Sequence, residues 1–297
     1  MAGERKADAV RDFFLLARPA QWVKNLFVLA PLVFSQRFFQ STELVSAGIA
    51  FVAFCLASSA SYILNDVMDR ERDREHPLKC RRPIASGRVQ PAAALALAGS
   101  LAVTAISLSW TLGAVFLSVL AGFLLIQVLY STVLKSIVVV DVATIALLFV
   151  LRAAGGVIAV GARMSPWLFL CTFLLAMFLG LGKRRHEISL LEADATAHRE
   201  VLGRYKVRLL DQLITVVAMT TIVVYTVYTV WPSVEAKLGT ERLYYTVPFV
   251  VLGVFRYLFL VYGREEGGSP TDLLLGDIPL QVAIAGWIVT VFLLLYF

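Results

Sequence analysis

The chain has 297 residues, 59% of them hydrophobic and 16% charged, with a mean hydropathy of +0.78. That balance excludes a soluble single domain and describes an integral membrane protein. The net charge of +6 is explained by the excess of basic residues in cytoplasmic loops and by attraction to anionic lipid, so it argues for no nucleic-acid partner.

Residues Met1 to Gln21 are polar, carry Arg5, Lys6, Arg11 and Arg18, and lack the apolar core and small-residue cleavage site of a removable signal peptide. Beyond them, a span needs about 20 mostly apolar residues, and on that criterion the apolar blocks number about nine. They run from Trp22 to Phe39, Leu44 to Leu64, Pro91 to Thr111, Gly113 to Val133, Ile137 to Val160, Pro166 to Gly182, Leu210 to Trp231, Tyr244 to Tyr262 and Ile278 to Phe297. The expected fold is an all-α polytopic bundle, one transmembrane domain over residues 1–297. Basic residues gather in two loops, 65–90 and 183–208, on the side of the polar segment 1–21, and the positive-inside rule makes that side cytoplasmic. The opposite side offers only Arg37, Arg163, Lys237 and Arg242. A multi-pass protein of the cell membrane is expected, its N-terminus and site cytoplasmic.

Between the second and third blocks stands Asn65-Asp66-Val67-Met68-Asp69-Arg70-Glu71-Arg72-Asp73. On a continued helix Asp66, Asp69 and Asp73 fall at i, i+3 and i+7 and share one face, with Asn65 leaning toward the same side. Such a face can hold Mg²⁺, which prefers oxygen ligands, takes one or two carboxylates and fills its remaining positions with water and substrate phosphate. A membrane enzyme acting on a diphosphate is the first reading. The same loop continues through Lys79-Cys80-Arg81-Arg82, whereas the second charged loop opens with Gly182-Lys183-Arg184-Arg185-His186-Glu187. One loop offers acids and bases, the other mainly bases, a combination suited to a metal-bound diphosphate and a second anion.

Polar residues also intrude into the apolar blocks: Lys24, Tyr130, Lys135, Asp141, Arg152 and Arg256. A central charge costs about 2.5 to 3.5 kcal/mol on insertion scales, so these residues face a cavity or a partner. Each has a plainer reading beside the functional one. Asp141 can pair with Lys135, Lys183 to Arg185 can be a topology signal, and Arg152 and Arg256 can be structural pairs. Cys55, Cys80 and Cys171 are scattered, and His76, His186 and His198 lack ligand spacing, so neither disulfides, zinc nor haem is expected.

The spans, the Asn65-Asp66-x-x-Asp69-x-x-x-Asp73 motif and Arg82-Pro83-Ile84-Ala85-Ser86-Gly87-Arg88 resemble the UbiA superfamily of intramembrane prenyltransferases over essentially the whole chain. The resemblance implies a nine-helix bundle with a polar pocket near the cytoplasmic face, open sideways to lipid, in which Mg²⁺ bridges aspartates to a diphosphate. The chain departs from the family after the sixth block. Typical members carry a second aspartate-rich motif there; this chain has Gly180-Leu181-Gly182-Lys183-Arg184-Arg185-His186-Glu187, bases that would hold phosphate directly.

With Arg18-Pro19-x-x-Trp22-x-Lys24-Asn25 and Tyr130-Ser131-x-x-x-Lys135, this departure is similar to the decaprenyl-phosphate phosphoribosyltransferase branch. That branch implies 5-phosphoribosyl 1-diphosphate as donor, a polyprenyl phosphate lipid as acceptor, and a product that feeds lipid-linked arabinose for envelope glycans. Asp66, Asp69 and Asp73 are then the catalytic acids, and together with Asn65 the ligands of Mg²⁺. Lys24, Asn65, Lys79, Arg82, Tyr130, Lys135, Asp141, Lys183, Arg184 and Arg185 are the residues expected to bind substrate. Rival readings are a prenyltransferase acting on an aromatic acceptor, a transporter and a non-catalytic lipid binder. The sequence leaves room for a homo-oligomer.

Overall fold

The computed structural model describes residues 11–75, 79–192, 207–263 and 270–297, the side chains of 189–192 excepted. Among the described residues, eight helices are long and apolar enough to cross a membrane. They are α1 (Ser41–Met68), α2 (Pro91–Thr111), α3 (Ala114–Thr132), α4 (Val140–Ala159), α5 (Pro166–Glu192), α6 (Val207–Thr229), α7 (Val247–Gly263) and α8 (Ile278–Tyr296). Each matches one of the expected blocks, and the protein is a multi-pass membrane protein. Gly113, at φ 97°, makes the tight turn that separates α2 from α3, a conformation side-chain-bearing residues avoid.

The first expected span is different. In place of one long α-helix there is a 3-10 helix of 10 residues, Pro19–Val28, followed by a five-residue α-helix, Ala30–Phe34. Pro31 explains the break, because its ring lacks an N–H and collides with the carbonyl four residues back if an α-helix runs through it. A 3-10 helix rises about 2.0 Å per residue and an α-helix about 1.5 Å, so the two pieces together reach about 28 Å. That is close to the ~30 Å hydrocarbon thickness, and the broken segment is long enough to serve as the ninth crossing.

A 3-10 helix has three residues per turn, so its side chains line up in three straight rows. The row of Trp22, Asn25 and Val28 faces the protein. Trp22 Nε1 donates to Ser59 Oγ of α1 at 3.0 Å, and Asn25 Oδ1 accepts from Arg152 Nε of α4 at 2.6 Å. Val28 comes so close to α4 that a Cβ added at Gly156 would lie 2.0 Å from its carbonyl oxygen. Only glycine permits that approach.

The remaining helices pack in chain order, each on the next, with α4 also touching α1 and the 3-10 segment. Val142, Phe178, Leu181, Leu210 and Leu260 form one core between α4, α5, α6 and α7; Phe54, Phe116, Leu120 and Phe123 form another between α1 and α3. The outer faces keep large apolar side chains such as Val103, Trp110, Val216 and Leu252 exposed, as a surface solvated by lipid requires.

Both charged segments differ from open loops. Asn65–Met68 is the last turn of α1, Arg70–Glu75 is a further helix and Lys79–Arg81 a 3-10 turn. In the second segment α5 runs through Lys183, Arg184 and Arg185 to Glu192; residues 193–206 of the expected 183–208 loop, with His198, lie outside the described residues, as do His76 and residues 1–10.

The far end of the broken first segment meets the C-terminal helix away from the charged segments. Gln36 Nε2 donates to the carbonyls of Leu238 and Leu295 at 2.7 and 3.2 Å, and Tyr296 Oη donates to Val33 O at 3.1 Å. Phe38, Phe39 and Phe292 stack around Tyr296.

Candidate active site

Asp66, Asp69 and Asp73 lie where α1 ends, and the C-terminal end of a helix carries partial negative charge. Carboxylates there are unfavourable unless cations answer them. The helical path survives the joint after Met68, since Asp69 N bonds to Asn65 O at 2.9 Å and Asp73 N to Asp69 O at 2.8 Å. Asp66 and Asp73 therefore stay on one face, and a single nitrogen, Arg82 Nη1, donates to both at 2.9 and 2.6 Å.

Arg18 arrives from the opposite direction. It sits in the left-handed region at φ 49° just before Pro19, and its Nη2 lies 2.5 and 2.6 Å from the two oxygens of Asp66. Asp69 turns aside from that pair: Lys135 Nζ lies 3.0 Å from its Oδ1, and Asn65 Nδ2 donates to its Oδ2 at 3.0 Å. Three acids thus meet three bases at one end of the bundle.

A second cluster adjoins on α3, α4 and α5. Arg184 is 2% exposed and places its Nε 2.6 Å from Asp141 Oδ2, its Nη2 2.9 Å from Tyr130 Oη and its Nη1 in a short bond to Glu187. Asp141 is therefore paired with Arg184, and Lys135, which the plainer reading offered as its partner, is paired with Asp69. The chain reaches Asp141 through Val139 at φ 69°, a strained conformation for a β-branched residue.

Arg185 points elsewhere. Its Nε lies 2.8 Å from Asp211 of α6, and its guanidinium stacks over the Tyr262 ring of α7 at 4.5 Å. Of the basic triplet, Lys183 is the most exposed, at 3.8 Å from Glu187. Lys79 is half-buried on the turn before Arg82. Arg152 and Arg256 both meet partners within the protein: the buried Arg152 bonds Asn25, Leu148 O and Ser58, and the half-buried Arg256 pairs with Asp277, the cap of α8.

The UbiA prenyltransferase family model matches residues 26–271. The chain belongs to the UbiA prenyltransferase family. A decaprenyl-phosphate phosphoribosyltransferase from Mycolicibacterium smegmatis is 34% identical over 94% of this chain and 91% of that protein. One from Corynebacterium glutamicum is also 34% identical, over 94% of this chain and 85% of that protein. A UbiA homolog from Archaeoglobus fulgidus, solved with GPP and Mg²⁺ bound, has the same fold, with a TM-score of 0.71, 19% identity and coverage of 96% of this chain and all of that one.

The donor set of this UbiA chain fits a hard divalent cation. Among the described residues no three acidic, histidine or cysteine side chains converge into a preformed cage. Asp66, Asp69 and Asp73 instead suit an ion held by one or two carboxylates and completed by water and phosphate oxygens.

Two contributors escaped the sequence reading as site residues. Arg18 precedes the first span, where the positive-inside rule already accounts for a base. Glu187 is visible only once α5 is known to continue, which puts it one turn from Arg184.

Proposed function

We propose that this UbiA-family chain transfers the 5-phosphoribosyl group of 5-phosphoribosyl 1-diphosphate to a polyprenyl phosphate such as decaprenyl phosphate, with release of diphosphate. The observation that carries the reading is the intimate mixture of charge at the motif, where each of three aspartates touches a cation within 3.0 Å. A donor with a diphosphate and a separate 5-phosphate needs both an acidic metal-holding site and basic groups beside it. The names borne by relatives at 34% identity over most of the chain support the same reading.

Asp66, Asp69, Asp73 and Asn65 would hold Mg²⁺, which when bound neutralises charge on the departing diphosphate. Arg82 and Lys135, already against those carboxylates, are placed to donate to diphosphate oxygens. Lys79 and Lys183 supply further positive charge for the 5-phosphate. The bond between C1 and the diphosphate oxygen breaks, and a bond from C1 to an oxygen of the lipid phosphate forms. That oxygen is already anionic, so no side chain has to remove a proton. The residues contribute positioning and fixed charge around an oxocarbenium-like ribosyl centre.

A soluble, multiply charged donor and an insoluble acceptor meet only at a membrane boundary, so the motif end of the bundle is assigned to the cytoplasmic face of the cell membrane. The test is transfer by purified protein in detergent, with labelled 5-phosphoribosyl 1-diphosphate, decaprenyl phosphate and Mg²⁺. Label entering the lipid phase, and none with chelator, is the expected result. Discharge of a prenyl diphosphate onto an aromatic acceptor, with no ribosyl transfer, would replace this reading with prenyl transfer.

A further inference from the structure

The segment ahead of the first crossing is less polar than its composition as a whole. Residues 11–17 are helical, and they hold Phe13, Phe14, Leu15 and Leu16 in succession. Leu16 is 1% exposed and packs among Ile63 of α1 and Ala94 and Ala98 of α2. Asp12, four residues earlier and so on the same face, accepts from Arg88 Nε on both carboxylate oxygens at 3.1 Å. The opposite face is left open, with Phe14 and Leu15 62% and 47% exposed and Phe13 at its flank.

Depth decides what that open face meets. Ala17 O accepts from Ser59 Oγ at 2.6 Å, and Ser59 lies seven residues inside Asp66 on α1, about 10 Å of helix rise. Ala98, against Leu16, stands equally far inside the start of α2 at Pro91. The short helix therefore descends beside α1 and α2 from the level of Arg88 to that of Ser59, where α2 already turns Leu95 outward. Water is a poor solvent for such a face and acyl chains a good one. Arg11 is exposed and sits three and four residues before Phe14 and Leu15, hence on their side of the helix and one turn nearer its outer end. A cation outside and apolar groups within is the order in which a lipid presents phosphate and acyl chain.

We propose that residues 11–17 are a lipid-seated foot on the motif side of the bundle, Phe14 and Leu15 inserting among acyl chains and Arg11 meeting the phosphate of an anionic membrane lipid. The foot is tied to the bundle at both ends, by Asp12 to Arg88 and by Ala17 to Ser59, so lipid held on its outer face bears on a fixed element. The next residue, Arg18, grips Asp66, which sets the lipid contact directly beside the motif cluster. The seat does not depend on which donor or acceptor the site takes.

The experiment uses the full chain in nanodiscs of mixed phosphatidylcholine and phosphatidylglycerol, with Phe14→Cys placed in a Cys80→Ser, Cys171→Ser background; Cys55 is buried. A nitroxide at position 14 is expected to be relaxed more by oxygen, which concentrates among acyl chains, than by a water-soluble nickel chelate, and a label introduced by Leu15→Cys to behave alike. Stronger relaxation by nickel puts the face in water, and protection from both reagents puts a second copy or another protein on it; either result overturns the seat. A bimane at position 14 then reads the headgroup. Doxyl-labelled phosphatidylglycerol should be enriched at it about fivefold over doxyl-labelled phosphatidylcholine, the attraction of one basic residue to an anionic surface. Arg11→Gln should make the two lipids equal and leave oxygen access unchanged. Equal quenching with Arg11 in place overturns the headgroup assignment. These readings need no substrate, so they stand or fall apart from ribosyl transfer.

Discussion

Two ionic clusters stand side by side at one end of this bundle, built from the same residue types and set apart by how far their charges reach solvent. In the motif cluster, Arg18 and Arg82 keep more than a quarter of their side chains exposed while they hold a buried Asp66. In the other, Arg184 and Asp141 are 2% and 0% exposed, and every arm of the guanidinium is committed to Asp141, Tyr130 or Glu187. Partners that reach solvent can be exchanged for a substrate's charges. Arg184 and Asp141 are sealed from it, while their neighbours Glu187 and Tyr130 are partly open, and parting a sealed pair strands buried charge. A count of acids and bases does not tell the two clusters apart; access does.

That contrast can be broken most directly at Asp69. Asp69→Ala should lower kcat for ribosyl transfer by about a hundredfold or more, with the folded fraction in detergent unchanged. Loss of folded protein would mean that the motif cluster is structural too. Arg184→Met should act the other way, destabilising the protein by about 3 to 5 kcal/mol because the buried Asp141 loses the cation it faces. Thermal unfolding measures it, and adding Asp141→Leu should recover much of the loss. A stable, inactive Arg184→Met would move this cluster into the site. Arg82→Gln should raise the KM for donor about tenfold, as removal of one charge-assisted contact predicts. The smallest effect is expected at Arg185→Ala, less than about 1 kcal/mol of stability, since Asp211 is substantially exposed.

How far these distinctions could be read beforehand depended on the kind of signal. Spans are legible because burying a backbone in lipid demands long apolar helices, and eight expected blocks became such helices. The first block is the least apolar, holding Lys24, Asn25, Gln36 and Arg37, and its break is set by one residue, Pro31, and by the close approach of Val28 to Gly156, which composition does not report. The motif aspartates were legible because three acids crowded onto the negative end of an apolar helix are unfavourable until a cation answers them. Their cations were less so: Lys135 and Arg82 were expected at substrate, yet which carboxylate each meets depends on how α3 and the segment after residue 79 come to rest. Arg184 and Arg185 are adjacent in sequence but about 100° apart around α5, so one turns into the bundle and the other toward α6. Their adjacency in sequence does not report that they meet different partners.

The Gln36 and Tyr296 contacts carry a consequence for the order of synthesis. A segment completed within the first forty residues is fastened to carbonyls at residues 238 and 295 and to the last tyrosine of the chain. Chains emerge from the N-terminus onward, so the broken first segment waits for α8 before it is fully held in place. A chain without Tyr296 and Phe297 would insert all eight long helices and still lack the tyrosine that ties the broken first segment to α8.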